Sequence, residues 1–395
     1  QSEKATCFPT ASASAASWNP QLLKEMGEAI GEEALHYGVD VVLGPGVCIK
    51  RNPLCGRNFE YFSEDPYLSG VMAKHWIDGV QGKGVGTSLK HFAANNQEQD
   101  RMMSDSIVDE RALREIYFPA FEMAVKESRP STVMCSYNKI NGVFSSDSRK
   151  LLTEILRDEW QFEGMVVTDW GAMNDRISGF KAGCDLEMPD SSGFFDEEVK
   201  KAVDEDRLSE TDIDACVERI LKLAFQAQQN REKAGGNKPL NAQEHHALAK
   251  KIAKESAVLL KNEGQMLPIS RGKKIALCGA MAETIRYQGA GSSHINPTKL
   301  SSMKEALEAE GAEITYYPAY ELDGERNTGK LEQAVAGARE ADIVIVAAGL
   351  PDTYESEGYD RAHMRMPESH NELIYQLAKE NSNIVVVLMG GSPVE

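Results

Sequence analysis

The segment EGMVVTDWGAMND, residues 163–175, sets a carboxylate, Asp169, directly after the run Met165, Val166, Val167 and Thr168, with Trp170 beside it and a turn at Gly171. A carboxylate that closes a buried strand is placed to act as a nucleophile or a base on whatever the strand end faces. Two other runs end in the same manner. SLKHF closes on Lys90 and His91, with Arg101 shortly after, and VMCSYN closes on Ser136, Tyr137 and Asn138. Cations, an imidazole, a phenol and an indole around one carboxylate suit a sugar, whose hydroxyls need fixed donors and whose C–H face needs an aromatic wall. The carboxylate is then the expected nucleophile for an oxocarbenium-like centre. Such chemistry also needs a second carboxyl group that starts protonated and hands its proton to the leaving oxygen. YESEGYDR, residues 354–361, offers Glu355 and Glu357 in a glycine-bearing loop. Taken singly, that loop also reads as a charged surface turn and Asp169 as a helix cap.

The elements that must position these residues repeat a single unit. NPQLLKEMGEAIGEEALHYG, residues 19–38, predicts a helix with Asn19 as cap, Pro20 in the first position and a stop at Gly38. VDVVLGPG follows as a short strand. Helices near 66–79, 110–127, 148–158 and 172–181 then alternate with the strand-like runs GVGTSLKHF, STVMCSYN, GMVVTDW and AGCDLEM. Continuously apolar strands between helices predict parallel strands covered by helices. The polar residues gather at C-terminal strand ends, which points to a (β/α)8-type barrel with a single mouth. An open doubly wound sheet, with its ligand groups at a switch point, is the alternative. Residues 1–229 are read as this TIM-like barrel, entered late. QAQQNREKAGGNKPLNAQ marks a linker, so residues 230–264 are read as linker and connecting helix. KKIALCGA, AEITYYPA, ADIVIVAAG and NIVVVLMGG make residues 265–395 an α/β sandwich domain.

Composition narrows the function. Sixty-one acids against 43 bases give a net charge of −18, which opposes a nucleic-acid partner. The longest apolar runs have strand length, so no membrane span is expected. Seven scattered cysteines read as buried thiols, Cys48 and Cys55 being a weak pair for a bridge or zinc, and fit a reducing cytoplasm. GAGSSH lacks a completed G-x-G-x-x-G and a ribose-binding acid, so no nucleotide is expected. His245 and His246 read as solvated, and Asp185 and Glu187 as structure at the barrel mouth. The histidine and acid spacing supports no metal site.

Taken together, the segments ATCFPTASA, GPGVCIKRNPLCGRNFEYFSEDP, KHFAANNQE, CSYNKINGV, GMVVTDWGA, AGCDLEMP, ESAVLLKN, GAGSSH, YESEGYDR and GGSPVE resemble family 3 glycoside hydrolases of the β-glucosidase type. They stand in the family's order over nearly the whole chain. The resemblance implies a barrel followed by an α/β sandwich, with the active site between them. It also implies a retaining, exo-acting β-D-glucosidase that removes terminal non-reducing β-D-glucosyl residues by double displacement and needs no cofactor. Asp169 matches the nucleophile. Arg57, Lys90, His91, Arg101, Met134 and Tyr137 match residues lining the terminal-sugar pocket, and Trp170 matches the wall beside the nucleophile. Ser292, or Ser293, matches a glycine-loop residue near the site. Glu357 matches the general acid/base, with Glu355 as the other candidate. Small β-glucosides or oligosaccharides are the implied partners, and assembly into a homo-oligomer is compatible with the sequence.

Other readings remain within and outside the family. A β-xylosidase or an α-L-arabinofuranosidase shares most of these residues, and a non-catalytic carbohydrate-binding relative is the alternative from another class. Relatives acting on N-acetylglucosamine carry a glycine- and histidine-rich loop after KHF. This chain has AANNQEQDR there and no histidine from 92 to 110, which opposes hexosaminidase activity. The family also has an early strand with an SDGP-like aspartate, and further sequence beyond GGSPVE. The chain starts at Gln1 and stops at Glu395, so it is read as part of a longer polypeptide whose remaining N- and C-terminal segments are needed for activity.

Overall fold

The structure, a computed structural model, describes residues 3–234 and 240–395. Two compact units interleave along the chain. One comprises Ser17–Asn52 and Tyr61–Ile252; the other comprises the residues up to Ala16, Pro53–Glu60 and Ala253–Glu395. A division in chain order misses this interleaving because residues 53–60 lie, in sequence, inside the first unit. They belong with the second because Phe59 packs where a side chain at Gly289 or Gly391 would stand: a Cβ there would meet Phe59 at 2.3 and 2.2 Å. Ser12 Oγ reinforces the arrangement, donating to Asn58 O at 2.8 Å and to Gly391 O at 3.1 Å.

In the first unit the strands Val41–Val42, Gly86–Phe92, Thr132–Cys135 and Met165–Thr168 are parallel and lie side by side in chain order. A fifth segment continues the series, with Val167 bridged in parallel to Leu186. Strands laid down successively in one direction, each followed by a helix, make a barrel-like wall; a doubly wound sheet reverses direction at its switch point. Leu89, Val133 and Val166 are wholly buried. Phe92, Phe118, Phe121 and Trp160 pack behind them with ring centroids 5.1 to 5.9 Å apart, each such pair adding about 0.5–1.5 kcal/mol beyond its burial.

The helices follow their sequence signals closely where caps are present. Pro20–His36 starts on Asn19, whose side chain accepts from Leu22 N, and Pro66–Gly82 starts on Asp65, which accepts from Tyr67 N at 2.7 Å and Leu68 N at 3.0 Å. The two helices cross at Gly27 and Gly79, where an added Cβ would strike Trp76 O at 2.3 Å and Lys24 O at 2.2 Å. The helix expected at 110–127 is instead broken into Glu110–Ala112, a π-type turn Leu113–Tyr117, and Pro119–Ser128. Pro119 has no N–H to give the preceding turn, and the chain widens before it, with Phe118 N donating to Leu113 O at 2.8 Å. The polar stretch read as a linker from 226 is helical up to Ala234, within Glu210–Ala234, because Gln, Ala, Arg, Glu and Lys are strong helix formers whatever their polarity. Residues 235–239 of that stretch lie outside the described residues.

The second unit holds four parallel strands, Lys274–Cys278, Glu313–Tyr317, Ile343–Gly349 and Ile384–Met389. Lys274–Cys278 lies between Glu313–Tyr317 and Ile343–Gly349, and Ile384–Met389 extends the far side. The direction of winding therefore reverses at the first strand, as in doubly wound sheets. Ile343–Gly349 is buried along its whole length, and Leu331, Ala334, Leu373 and Leu377 from the helices Thr328–Glu340 and Glu368–Glu380 cover the sheet.

His245 departs from the solvated residue expected of a polar helix. It is 6% exposed, with Nδ1 2.8 Å from Glu33 Oε1 and Nε2 3.2 Å from Glu32 Oε2. Lys83 shares Glu32, at 2.8 Å, and also lies 3.9 Å from Glu28. The bond to Glu33, followed by the other carboxylate, raises the imidazole above its ordinary value of 6.5. A raised folded pKa makes the contribution complete below the unfolded value, and it disappears as pH rises through the folded value. His245→Gln is expected to destabilise the protein by about 1 kcal/mol near pH 6, and urea denaturation across pH should show the gap closing at alkaline pH.

Candidate active site

Each unit presents one carboxylate within a set of donors. In the first, Asp169 follows the strand Met165–Thr168 by one residue, and its own N–H donates to Cys135 O at 3.1 Å. Parallel pairing thus carries the register of two strands into the position of this one side chain. Asp169 is 7% exposed. Its Oδ1 accepts the Trp170 N–H at 2.8 Å, and its Oδ2 lies 3.4 Å from His91 Nε2. His91 is buried, and its Nδ1 is 2.9 Å from the hydroxyl of Tyr61.

The other expected residues of this unit divide into two groups. Tyr137 is buried and donates its hydroxyl to Trp170 O at 3.0 Å, which ties the turn after the nucleophile candidate to the neighbouring strand end. Arg101 lies over the Tyr137 ring at 4.5 Å and pairs with the buried Glu98 at 2.8 Å. The indole of Trp170 is 44% exposed, an aromatic surface left open beside Asp169. Lys90 is half-buried in the strand that carries His91. Met134 stands apart chemically, since it packs in an apolar cluster with Met165 and Val167, against Ile220 and Leu223.

In the second unit the sequence left Glu355 and Glu357 as alternatives, and their surroundings differ sharply. Glu355 is fully buried, 2.9 Å from Arg286, and its two oxygens take the Gly391 N–H at 3.1 and 3.0 Å. Such a carboxylate is already committed as a fixed acceptor. The side chain of Glu357 keeps 16% of its surface exposed; its Oε2 accepts the Ser292 N–H at 2.8 Å and its Oε1 is 3.9 Å from Arg57 Nη1. Ser292 thus contributes its backbone N–H. Arg57 is itself held by Glu60. The two loops are laced together, Ala290 N donating to Glu355 O and Glu357 N to Ala290 O, both at 3.0 Å. Gly291 has φ +120, and a Cβ there would meet Glu357 Cβ at 2.5 Å, so only glycine lets the loop carry this glutamate so close.

Tyr61, Glu60, Glu98 and the structural role of Glu355 were not singled out from sequence. FEYFSEDP and NNQEQDR held the first three in plain view, but their partners are tertiary. Asp185 is not at the mouth as expected. Its carboxylate accepts Val166 N at 2.7 Å, beside the first half of the strand Met165–Thr168, and pairs with Arg157 at 2.8 Å and Arg219 at 2.7 Å. Glu187 is half-buried, and burial raises its carboxyl above the ordinary value. All seven cysteines are free thiols. Among the described residues no helix is long and apolar enough to cross a membrane, and no three or more His, Cys, Asp or Glu side chains gather in a group that could hold a metal ion.

A barrel-like unit and a doubly wound unit, each offering a carboxylate amid hydrogen-bond donors, define the class of two-domain glycoside hydrolases. The chain belongs to glycosyl hydrolase family 3: residues 1–223 match its N terminal domain and residues 257–395 its C-terminal domain. It is 52% identical over 395 residues to thermostable beta-glucosidase B of Acetivibrio thermocellus, covering 99% of this chain and 52% of that protein. It is 47% identical over 403 residues to an exo-alpha-(1->6)-L-arabinopyranosidase of Bifidobacterium breve, with the same coverage of 99% and 52%. Among solved structures, the family 3 beta-glucosidase of Bifidobacterium adolescentis superposes with a TM-score of 0.94 at 47% identity, over 99% of this chain and 57% of that one. The chain thus spans about half the length of the curated relatives it matches.

Removing one member of the Asp185 group leaves two guanidinium groups facing each other without their anion. Asp185→Asn is expected to lower stability by about 3 kcal/mol, read as a fall in the urea midpoint, a loss that a surface carboxylate would not produce.

Proposed function

We propose that the whole protein to which this chain belongs is a retaining, exo-acting β-D-glucosidase, with Asp169 as nucleophile and Glu357 as general acid/base. The observation that carries the reading is the pair of environments around these carboxylates in a chain of this family. Asp169 is an acceptor held by the Trp170 N–H and facing the His91 imidazole, whereas Glu357, unlike the fully buried Glu355 paired with Arg286, keeps 16% of its side chain exposed. In the first step Asp169 attacks the anomeric carbon, Glu357 gives its proton to the departing oxygen, and a glycosyl-enzyme forms. Glu357 then takes a proton from water, which displaces Asp169 with a second inversion. Arg57 and the Ser292 N–H favour the charged form of Glu357 left after the first proton transfer, the form needed as the base. Lys90 and Arg101 supply donors for the sugar hydroxyls, His91 and Tyr137 hold Asp169 and the turn after it, and Trp170 gives an aromatic face.

A second reading has its own support. The arabinopyranosidase relative matches the chain over 99% of its length. An α-L-arabinopyranoside and a β-D-glucopyranoside both present an equatorial leaving group, so one pair of carboxylates serves either. The choice between them falls to contacts with the substituents at C4 and C5.

Asp169→Ala is expected to lower kcat by roughly ten-thousand-fold or more, with azide restoring turnover as a glycosyl azide of inverted configuration. Wild-type-like turnover by this variant would overturn the assignment. Glu357→Gln should spare the first step for aryl glucosides with good leaving groups and slow sugar leaving groups by roughly 100-fold or more. If Glu355→Gln gives that selective pattern instead, the roles are reversed. Rates on aryl β-D-glucopyranosides, β-D-xylopyranosides, α-L-arabinofuranosides and α-L-arabinopyranosides decide the sugar.

A further inference from the structure

We infer that Tyr61 is a positioning residue for the nucleophile, acting through the tautomer of His91; the inference rests on Asp169 being that nucleophile. Tyr61 is 1% exposed and its ring stands edge-on to the imidazole, 6.0 Å between centroids at 87°. Its hydroxyl is 2.9 Å from His91 Nδ1, while the opposite nitrogen, Nε2, is 3.4 Å from Asp169 Oδ2. The backbone on both sides is fixed as well. Cys48 Sγ donates to His91 O at 3.2 Å, and Tyr61 is bridged in parallel to Gly46, which is in turn bridged to Lys90.

The direction of the proton chain follows from what each group can do. An ionised aspartate only accepts, so the ring nitrogen facing it has to carry hydrogen. In a neutral imidazole Nδ1 is then a lone pair, and it needs a donor that is not a base. A phenol buried against it fills that role: Tyr61 O–H donates to Nδ1 and His91 Nε2–H points to Asp169. An acceptor at the Tyr61 position would select the other tautomer, turning a lone pair toward the nucleophile, or would favour a charged ring. The device keeps an N–H turned toward Asp169 without placing a full positive charge there. That matters because a full charge would hold the carboxylate back from attack more strongly than a neutral donor does.

The sequence alone gives no sign of this pairing, since Tyr61 precedes His91 by 30 positions and sits in a run of aromatic and acidic residues. The contact set also separates Tyr61 from Tyr137, whose hydroxyl goes to the Trp170 carbonyl. Two tyrosines thus serve the two sides of Asp169, one through the turn that follows it and one through the imidazole that faces it.

The test is Tyr61→Phe in the full-length enzyme, which preserves the ring and removes only the donor. The acidic limb of kcat/KM against pH reports the nucleophile in the free enzyme. Loss of an ordered N–H donor should move that limb upward by roughly 0.5–1 pH unit, with the rate at the optimum changed far less than at low pH. A profile superimposable on wild type overturns the inference, and so does a uniform loss at all pH values with the limb unmoved, the signature of a merely structural role. Should the variant fail to fold, the wild-type enzyme with 15N-labelled histidines provides the second reading. The resonances lost in His91→Gln identify this ring, and they should show the neutral Nε2–H form from about pH 5 to 8; an Nδ1–H or imidazolium form overturns it. Failure of the nucleophile itself looks different, because Asp169→Ala would then retain turnover.

Discussion

A carboxylate withdrawn from water at the end of a parallel strand stays charged only if N–H groups replace the solvent it has lost, and desolvation without such partners costs several kcal/mol. Asp169 meets part of this requirement in its own turn, where Oδ1 accepts the Trp170 N–H, while Oδ2 faces the His91 imidazole at 3.4 Å. Much of the first unit can be understood from that condition. The register Cys135 to Thr168 fixes where the strand stops, the Asp169 N–H anchors to Cys135, and Tyr137 restrains the Trp170 carbonyl. Val133 and Val166 make the strands rigid enough for these distances to persist, since a buried apolar strand in a continuous sheet has no alternative register that keeps its faces covered.

The second unit answers a different requirement with the same materials. In a straight strand two glutamates two positions apart would share a face, but the chain turns between Ser356 and Tyr359, which are bridged to each other, so Glu357 leaves the side on which Glu355 is buried. Glu355 is neutralised inside by Arg286 and by the Gly391 N–H, and this inner clamp fixes the backbone from which Glu357 projects. Without that clamp, ordering Glu357 would cost backbone entropy. The glycine at 291 completes the arrangement by allowing the facing loop to approach to backbone distance.

What was legible from the sequence and what was not divides along the range of the interactions. Asn19, Pro20 and Gly38 bracket a helix because caps and stops act within a few residues, and Asp169 stood out because strand and carboxylate are contiguous. The breaks around Pro119 follow a local rule too, though the amphipathic spacing on either side concealed it. Polarity misled at 226–234, where exposed helix formers imitate a linker. His245 looked solvated because Glu32 and Glu33 are more than 200 positions away in sequence, and Asp185 looked like mouth structure because Arg157 and Arg219 cannot be paired with it from spacing. The grouping of residues 53–60 with the second unit was hidden for the same reason: it depends on Phe59 meeting glycines at 289 and 391.

Under the proposed assignment, the chemistry of the two carboxylates and the choice of sugar rest on different groups. A nucleophile and a proton donor see only the anomeric carbon and the oxygen leaving it, and those are alike in any pyranoside with an equatorial leaving group. An axial rather than equatorial hydroxyl at C4, or a missing hydroxymethyl group at C5, is sensed by donors placed around the rest of the ring. A site built to hydrogen-bond a hydroxyl discriminates strongly against a sugar lacking it, because its own buried groups are left unpaired. A purely apolar wall such as the Trp170 face discriminates weakly. Relatives 52% and 47% identical to the chain carry different glycosidase names, which fits this separation. Among the proposed site residues the most firmly anchored are Arg101, held by Glu98 and stacked on Tyr137, and His91, set between Tyr61 and Asp169. Their anchoring makes them costly to move, so under the proposed assignment a change of sugar preference is expected to arise first at less constrained positions around them rather than at the carboxylates themselves.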